Sequence, residues 1–162
     1  MKQILSVLVE NQAGVLYKIT GLFARRAFNI DSLAVSVTED ASVSRITMIV
    51  DSGSHAADQV EKQLNKLISV IKVKRLEEGE FVGKELTIIK LSAAIKNRGD
   101  IKNICDIMDA KISDISQATI TVELADTPDR IALFQEMLMP FGILEVARTG
   151  LVATQKGSAY MG

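Results

Sequence analysis

Cysteine, histidine, proline and aromatic residues are all scarce in this chain of 162 residues. There is one cysteine, Cys105, so no internal disulfide can form, and this usage fits a reducing cytoplasm. One histidine, His55, cannot complete a Cys/His metal site with it. Tryptophan is absent and aromatics make up 4% of residues, so the core has to be built from Ile, Leu, Val and Ala. Neither sign of charge is in excess. Nineteen Lys and Arg face 20 Asp and Glu, and the net charge of −1 gives no case for nucleic acid, whose backbone demands a basic surface. The basic run Lys72, Lys74, Arg75 is answered at once by Glu77, Glu78 and Glu80 and reads as a solvated patch. No apolar run reaches membrane-spanning length, and the N-terminus begins as a strand, with no signal-peptide pattern. The glycines stand singly, so neither a phosphate loop nor a dinucleotide fingerprint is present.

What is present is periodic. Lys2 to Glu10 is apolar on both faces and predicts a central strand. Val15, Leu16, Ile19, Leu22 and Phe23 recur at helical spacing. Ile30 to Thr38 alternates, with Leu33, Val35 and Val37 on one face, and Arg45 to Val50 alternates again, with Ile46, Met48 and Val50 together. Val60, Leu64, Leu67 and Ile68 predict a second helix, and Ile71 to Leu76 a closing strand. EGEFVG, residues 78–83, interrupts the pattern as a linker, and the same order then returns. Leu86 to Ala93 is a strand; Ile101, Ile104, Cys105 and Met108 make a helix stripe; Ile112 to Ser116 and Thr119 to Leu124 are short strands. Ile131, Phe134 and Leu138 mark a helix with Pro128 in its first turn, and Ile143 to Val152 is the last strand. The expectation is an α+β chain of two tandem ferredoxin-like βαββαβ units, residues 1–77 and 84–162. Each would carry two helices on one sheet face and leave the other bare, which invites a homodimer or larger assembly. The tail QKGSAYMG is expected to fray.

No enzymatic constellation accompanies this architecture. His55 reads as a surface residue at the start of the second helix, and Cys105 as a core residue. The stretch ENQAGVL, Glu10 to Leu16, holds more interest. Its plain reading is a strand-to-helix turn with Gly14 as cap. Yet a helix N-terminus offers free N–H groups to a carboxylate. Gly14 would let a small ligand approach the backbone of Val15 and Leu16. The Asn11 amide can both donate and accept, as an amino acid's two charged groups require. A second polar outlier, Asn29, stands where the first helix hands over to the next strand. Its plain reading is a helix-terminating asparagine.

The combination ILSVLVENQAGVL, GLF and FNIDSL, with the later EKQLNKL and EVARTGLV, resembles the ACT domain, and specifically the regulatory (small) subunits of bacterial acetohydroxyacid synthase, or acetolactate synthase. The resemblance spans nearly the whole chain. It implies a non-catalytic chain in the cytoplasm that holds no cofactor or metal of its own. It would activate a separate catalytic large subunit, which carries thiamine diphosphate, Mg²⁺ and FAD, and would confer feedback inhibition by valine in branched-chain amino-acid synthesis. It further implies a valine site between two ACT domains, with Asn11, Gly14, Val15 and Leu16 from one chain and Asn29 and Ile30 from the other. One departure is Ala27, where many relatives carry glycine. In the second half, NRGDIKNI only loosely echoes the first loop, and Lys111 stands in place of Asn29, so one effector site per ACT pair is expected. A free-standing ACT sensor acting on another enzyme or a transcription factor is the alternative. FNIDSL and EVARTGLV favour the subunit.

Overall fold

The computed structural model describes residues 2–53 and 57–162; His55 lies outside them. The chain forms two compact units, Met1–Val82 with Gly150–Gly162, and Gly83–Thr149. In the first, β1 (Lys2–Glu10), α1 (Val15–Arg25), β2 (Asn29–Val37), β3 (Val43–Asp51), α2 (Ala57–Leu64) and β4 (Val70–Leu76) follow in order. The antiparallel sheet runs β2-β3-β1-β4. The second repeats the pattern with β5 (Phe81–Ser92), α3 (Arg98–Met108), β6 (Lys111–Ile115), β7 (Thr119–Asp126), α4 (Pro128–Leu138) and β8 (Ile143–Arg148). Its sheet order is β6-β7-β5-β8, and β9 (Val152–Gln155) also pairs with β5. The fold class is the expected one, α+β with two tandem ferredoxin-like units.

The alternation in sequence decides which side chains meet. Leu5, Val7 and Val9 of β1 and Ile46, Met48 and Val50 of β3 share a face. They pack against Val15, Ile19, Leu22 and Phe23 of α1 and Val60 and Leu64 of α2. The second core joins Ile89, Leu91, Ile120, Val122 and Leu124 to Ile101, Cys105, Met108, Ile131, Phe134 and Leu138. Cys105 lies among these apolar groups, and burial pushes its thiol above the ordinary value, so it serves as core.

Several expectations need correction. Helix α2 ends at Leu64, because Lys66 and Leu67 turn back onto Gln63 and Leu64 with tighter i−3 bonds. Ile68, predicted on its apolar stripe, is almost wholly exposed. Leu33, Val35 and Val37 of edge strand β2 do share a face, as the alternation predicts, but Leu33 is half-buried while Val35 and Val37 are 45% and 57% exposed. The last predicted strand is broken into β8 and β9 at Thr149–Leu151. Finally, the far face of the first sheet is not bare, and the tail, though exposed over 156–160, is anchored by Met161 and by the bond from the Lys156 N–H to the Glu80 carbonyl. Leu151, Ala153 and Met161 are buried, and Leu151 and Ala153 cluster with Leu76, Ile4, Ile49 and Phe81 on that face. In the second unit Leu86 and Ile88 stay 38% and 40% exposed on the corresponding face.

At the start of α4 the carboxylate of Asp126 accepts bonds from Arg130, from Lys84 and from the N–H of Thr127. Burial pushes its pKa up, but these donors outweigh burial and hold it at about 2. The folded value lies below the unfolded one, so the stabilisation is present above about pH 4 and is lost as pH falls towards 2. Because Lys84 and Arg130 are half exposed, solvent screening limits the effect to about 1–2 kcal/mol. Asp126→Asn should therefore cost the second unit about that much at pH 7 and almost nothing at pH 2, as read by urea melts at the two pH values.

Candidate effector loop

The loop that joins β1 to α1 is held from one side. The Asn11 N–H donates to the Ser42 carbonyl at 2.7 Å, and its side-chain Nδ2 donates to the Ala41 carbonyl at 2.9 Å. Both acceptors lie in the turn between β2 and β3. That turn is stiffened by Asp40, whose carboxylate accepts the hydroxyl and the N–H of Ser42; these bonds hold its pKa below the ordinary value. With Nδ2 engaged, the Oδ1 of Asn11 is the atom left to receive a donor.

Gly14 is the N-cap of α1 and has φ +82°, a left-handed conformation that glycine adopts without strain. An added Cβ would meet nothing within 4 Å, so the space in front of the turn is open. No side chain caps α1, and its first turn contains no acidic residue. The positive end of the helix therefore carries no carboxylate; the Val15 N–H makes only a long bond, 3.4 Å, to the Gln12 carbonyl, and the N–H groups of Leu16 and Tyr17 are among those that helical geometry leaves without helical partners. The Val15 side chain is buried in the core, so only its backbone faces the loop, whereas Leu16 is 40% exposed and offers an apolar surface.

Asn29 and Ile30 lie elsewhere. Asn29 opens β2 and pairs in register with Asp51, which in turn pairs with Lys2 at the start of β1. Asn11 follows the other end of β1. Eight strand residues at about 3.4 Å each put roughly 27 Å between the two levels. One chain thus brings Asn11, Gly14, Val15 and Leu16 together and leaves Asn29 and Ile30 at the opposite end of the sheet. Asn29 is exposed and its Nδ2 donates to Asp31, which pairs with Lys2 Nζ at 2.8 Å. Ile30 is half-buried against the core. The turn before Asn29 is shaped by Ala27, at φ +55°, and by the Phe23–Phe28 ring contact at 5.9 Å. A left-handed position of this kind is one that glycine adopts without strain.

The second unit repeats this scaffold without the loop's properties. Asp109, at φ +59°, precedes Ala110 and Lys111 as Ala27 precedes Phe28 and Asn29. The Ala110 N–H bonds the Cys105 carbonyl just as the Phe28 N–H bonds that of Phe23. At the start of α3, however, Asp100 supplies a carboxylate in the first turn. Arg98, not an asparagine, ties the helix to the following hairpin, through the carbonyls of Ser116 and Gln117. Sequence comparison of the loops missed the Arg98 clamp, since it depends on where the β6–β7 turn lies. Among the described residues no group of three His, Cys, Asp or Glu could hold a metal ion, and no helix is long and apolar enough to cross a membrane.

Residues 5–72 match the family described as AHAS small subunit-like ACT domain, and residues 84–157 the family described as small subunit of acetolactate synthase. The acetolactate synthase small subunit of Mycolicibacterium smegmatis is 42% identical over 158 residues, 98% of this chain and 93% of its own. That of Bacillus subtilis is 41% identical over 159 residues, covering 98% and 92%. The crystal structure of the Thermotoga maritima small subunit superposes with a TM-score of 0.91 at 31% identity, over 98% of this chain and 99% of that one. With both of its units matched and full-length relatives at this level of identity, the chain belongs to the family of acetolactate synthase small subunits.

Proposed function

We propose that this chain is the non-catalytic regulatory subunit of acetohydroxyacid synthase, that it raises the activity of a separate catalytic large subunit, and that it makes that activity sensitive to valine. Thiamine diphosphate, Mg²⁺ and FAD belong to the catalytic chain, and the complex works in the cytoplasm. The observation that carries the valine reading is the contrast between the two helix starts. That of α1 is uncapped, free of acid and open in front of Gly14, while that of α3 already holds Asp100. The carboxylate of valine sits at the N–H groups of Val15 and Leu16, its ammonium donates to Oδ1 of Asn11, and its side chain meets Leu16. Asn29 and Ile30 of the partner subunit close the pocket, because their own loop is about a sheet's length away. Edge strand β2, with Val35 and Val37 exposed, is the edge through which a homodimer would form side by side. Residues 1–77 act as the effector domain; the expected linker 78–83 runs into strand β5 at Phe81, and of the expected second domain 84–162 the last residues, 150–162, belong to the first unit, which leaves 84–149 as a second domain without an effector site.

Reconstitution tests this reading. The purified chain alone should show no acetolactate formation with thiamine diphosphate, Mg²⁺ and FAD supplied. Mixed with the catalytic subunit from the same genome, it should raise turnover and introduce inhibition by valine. A mixture with unchanged turnover would sink the subunit reading; raised turnover with no response to valine would sink the effector reading alone.

A further inference from the structure

The strand KQILSVLVE carries one polar residue in its apolar centre, Ser6. It lies on the far face of the first sheet, opposite Thr47 of β3 and Lys74 of β4. Ser6 is 1% exposed, and among the described residues its hydroxyl has no hydrogen-bond partner. A buried hydroxyl gives up its bonds to water and loses free energy unless another group replaces them. Beside it is a cavity of about 250 Å³, floored by Ser6, Arg45 and Leu76 and roofed by Ala153, Gln155 and Met161 of the segment that covers this face. Arg45, which lines the cavity, is half-buried, and among the described residues it makes no ion pair with a carboxylate. No aspartate or glutamate lines the cavity.

The geometry points to a second small-molecule site in this cavity, which takes a short aliphatic carboxylate. Arg45 supplies the paired donors that a carboxylate accepts in a fork, and the Ser6 hydroxyl supplies one more. Leu76, Ala153 and Met161 form apolar walls for a short hydrocarbon tail. The volume lies just under the roughly 300–1,000 Å³ of ordinary ligand pockets, so only a small molecule fits. A phosphate-sized anion would leave those apolar walls without contacts. The site stands on the opposite sheet face from the helices and shares no residue with the Asn11 loop.

The test is titration of the ¹⁵N-labelled full-length chain with butyrate, butyramide or inorganic phosphate at constant ionic strength, following amide shifts. Butyrate should give saturable shifts at Ser6, Arg45 and Ala153. Butyramide, the same shape without the charge, and phosphate, the charge without the tail, should each bind about tenfold or more weakly. Arg45→Gln should weaken butyrate by at least about tenfold and Ser6→Ala by roughly threefold to tenfold. Ser6→Ala removes only an unpaired hydroxyl and should keep the fold intact, which far-ultraviolet circular dichroism checks. Asn11→Ala should leave butyrate binding unchanged. Shifts that do not saturate by about 50 mM would overturn the site. So would phosphate binding as tight as butyrate's, or equal butyrate affinity in the folded wild type and both site variants.

Discussion

Gly150→Ala should unfold the first unit at a markedly lower temperature than the wild type. A Cβ at this position would lie 2.6 Å from the Leu33 carbonyl oxygen, 2.7 Å from its carbon and 2.8 Å from Ser32 Oγ. Two of these atoms are backbone of an edge strand already hydrogen-bonded to β3, so they cannot move aside without breaking the ladder. The segment must lift instead. Lifting breaks the bond from the Leu151 N–H to Ser32 Oγ, 3.0 Å long, and exposes Leu151 and the groups it covers. Overpacking plus loss of one buried leucine costs about 2–4 kcal/mol. At 2–4 °C per kcal/mol for a chain of this size, that is roughly 4–16 °C in melting temperature. Gly99→Ala is the control. Its Cβ would meet nothing within 4 Å in α3, and alanine is the better helix former there, so it should be neutral or raise stability by about 1 kcal/mol. A Gly150→Ala protein that melts with the wild type would refute the docking of this segment on the first sheet.

The largest functional effect is expected from the loop and from the position opposite it. Asn11→Ala and Asn29→Ala should each weaken inhibition by valine about 10- to 100-fold, since a hydrogen bond to a charged ligand is worth about 1.5–3 kcal/mol. Activation of the catalytic subunit should persist in both, because neither residue supports the core. Gly14→Asp should abolish valine sensitivity by placing a negative charge beside the position proposed for the ligand's carboxylate. Its backbone cost is larger than a helix N-terminus alone would suggest, because φ is +82°. Aspartate is nevertheless among the residues that tolerate this region, and its side chain enters open space. Mixing Asn11→Ala and Asn29→Ala subunits then tests the shared pocket. In the mixed dimer one pocket carries both lesions and the other neither. Partial recovery of valine inhibition, absent from either variant alone, is the expected result. Verified heterodimers that show no recovery would rule out a pocket built from two chains.

Periodicity alone determined the two βαββαβ units and many core positions, from Ile46, Met48 and Val50 to Ile131, Phe134 and Leu138, whereas β1, apolar on both faces, left Leu5, Val7 and Val9 to be picked out by the fold. Period-two and period-3.6 patterns report which side of an element is buried, and that is a local property. The ENQAGVL loop was legible for a similar reason, since a glycine at a helix start and an adjacent asparagine act within a few residues. What the sequence could not fix were relations between distant segments. That Asn11 hangs on the β2–β3 turn follows from strand register, as does the separation of Asn29 from it by the length of the sheet. The φ of Gly14, on which the meaning of an aspartate there depends, is set by the path of the whole turn. The tail QKGSAYMG reads as polar and frayed because Met161 has no apolar neighbour at a recognisable spacing. Only the tertiary structure shows Met161 buried, and Leu151 and Ala153 packed on a sheet face expected to be bare. Gly150 permits that covering by its lack of a side chain, and a missing side chain leaves no periodic mark in a sequence.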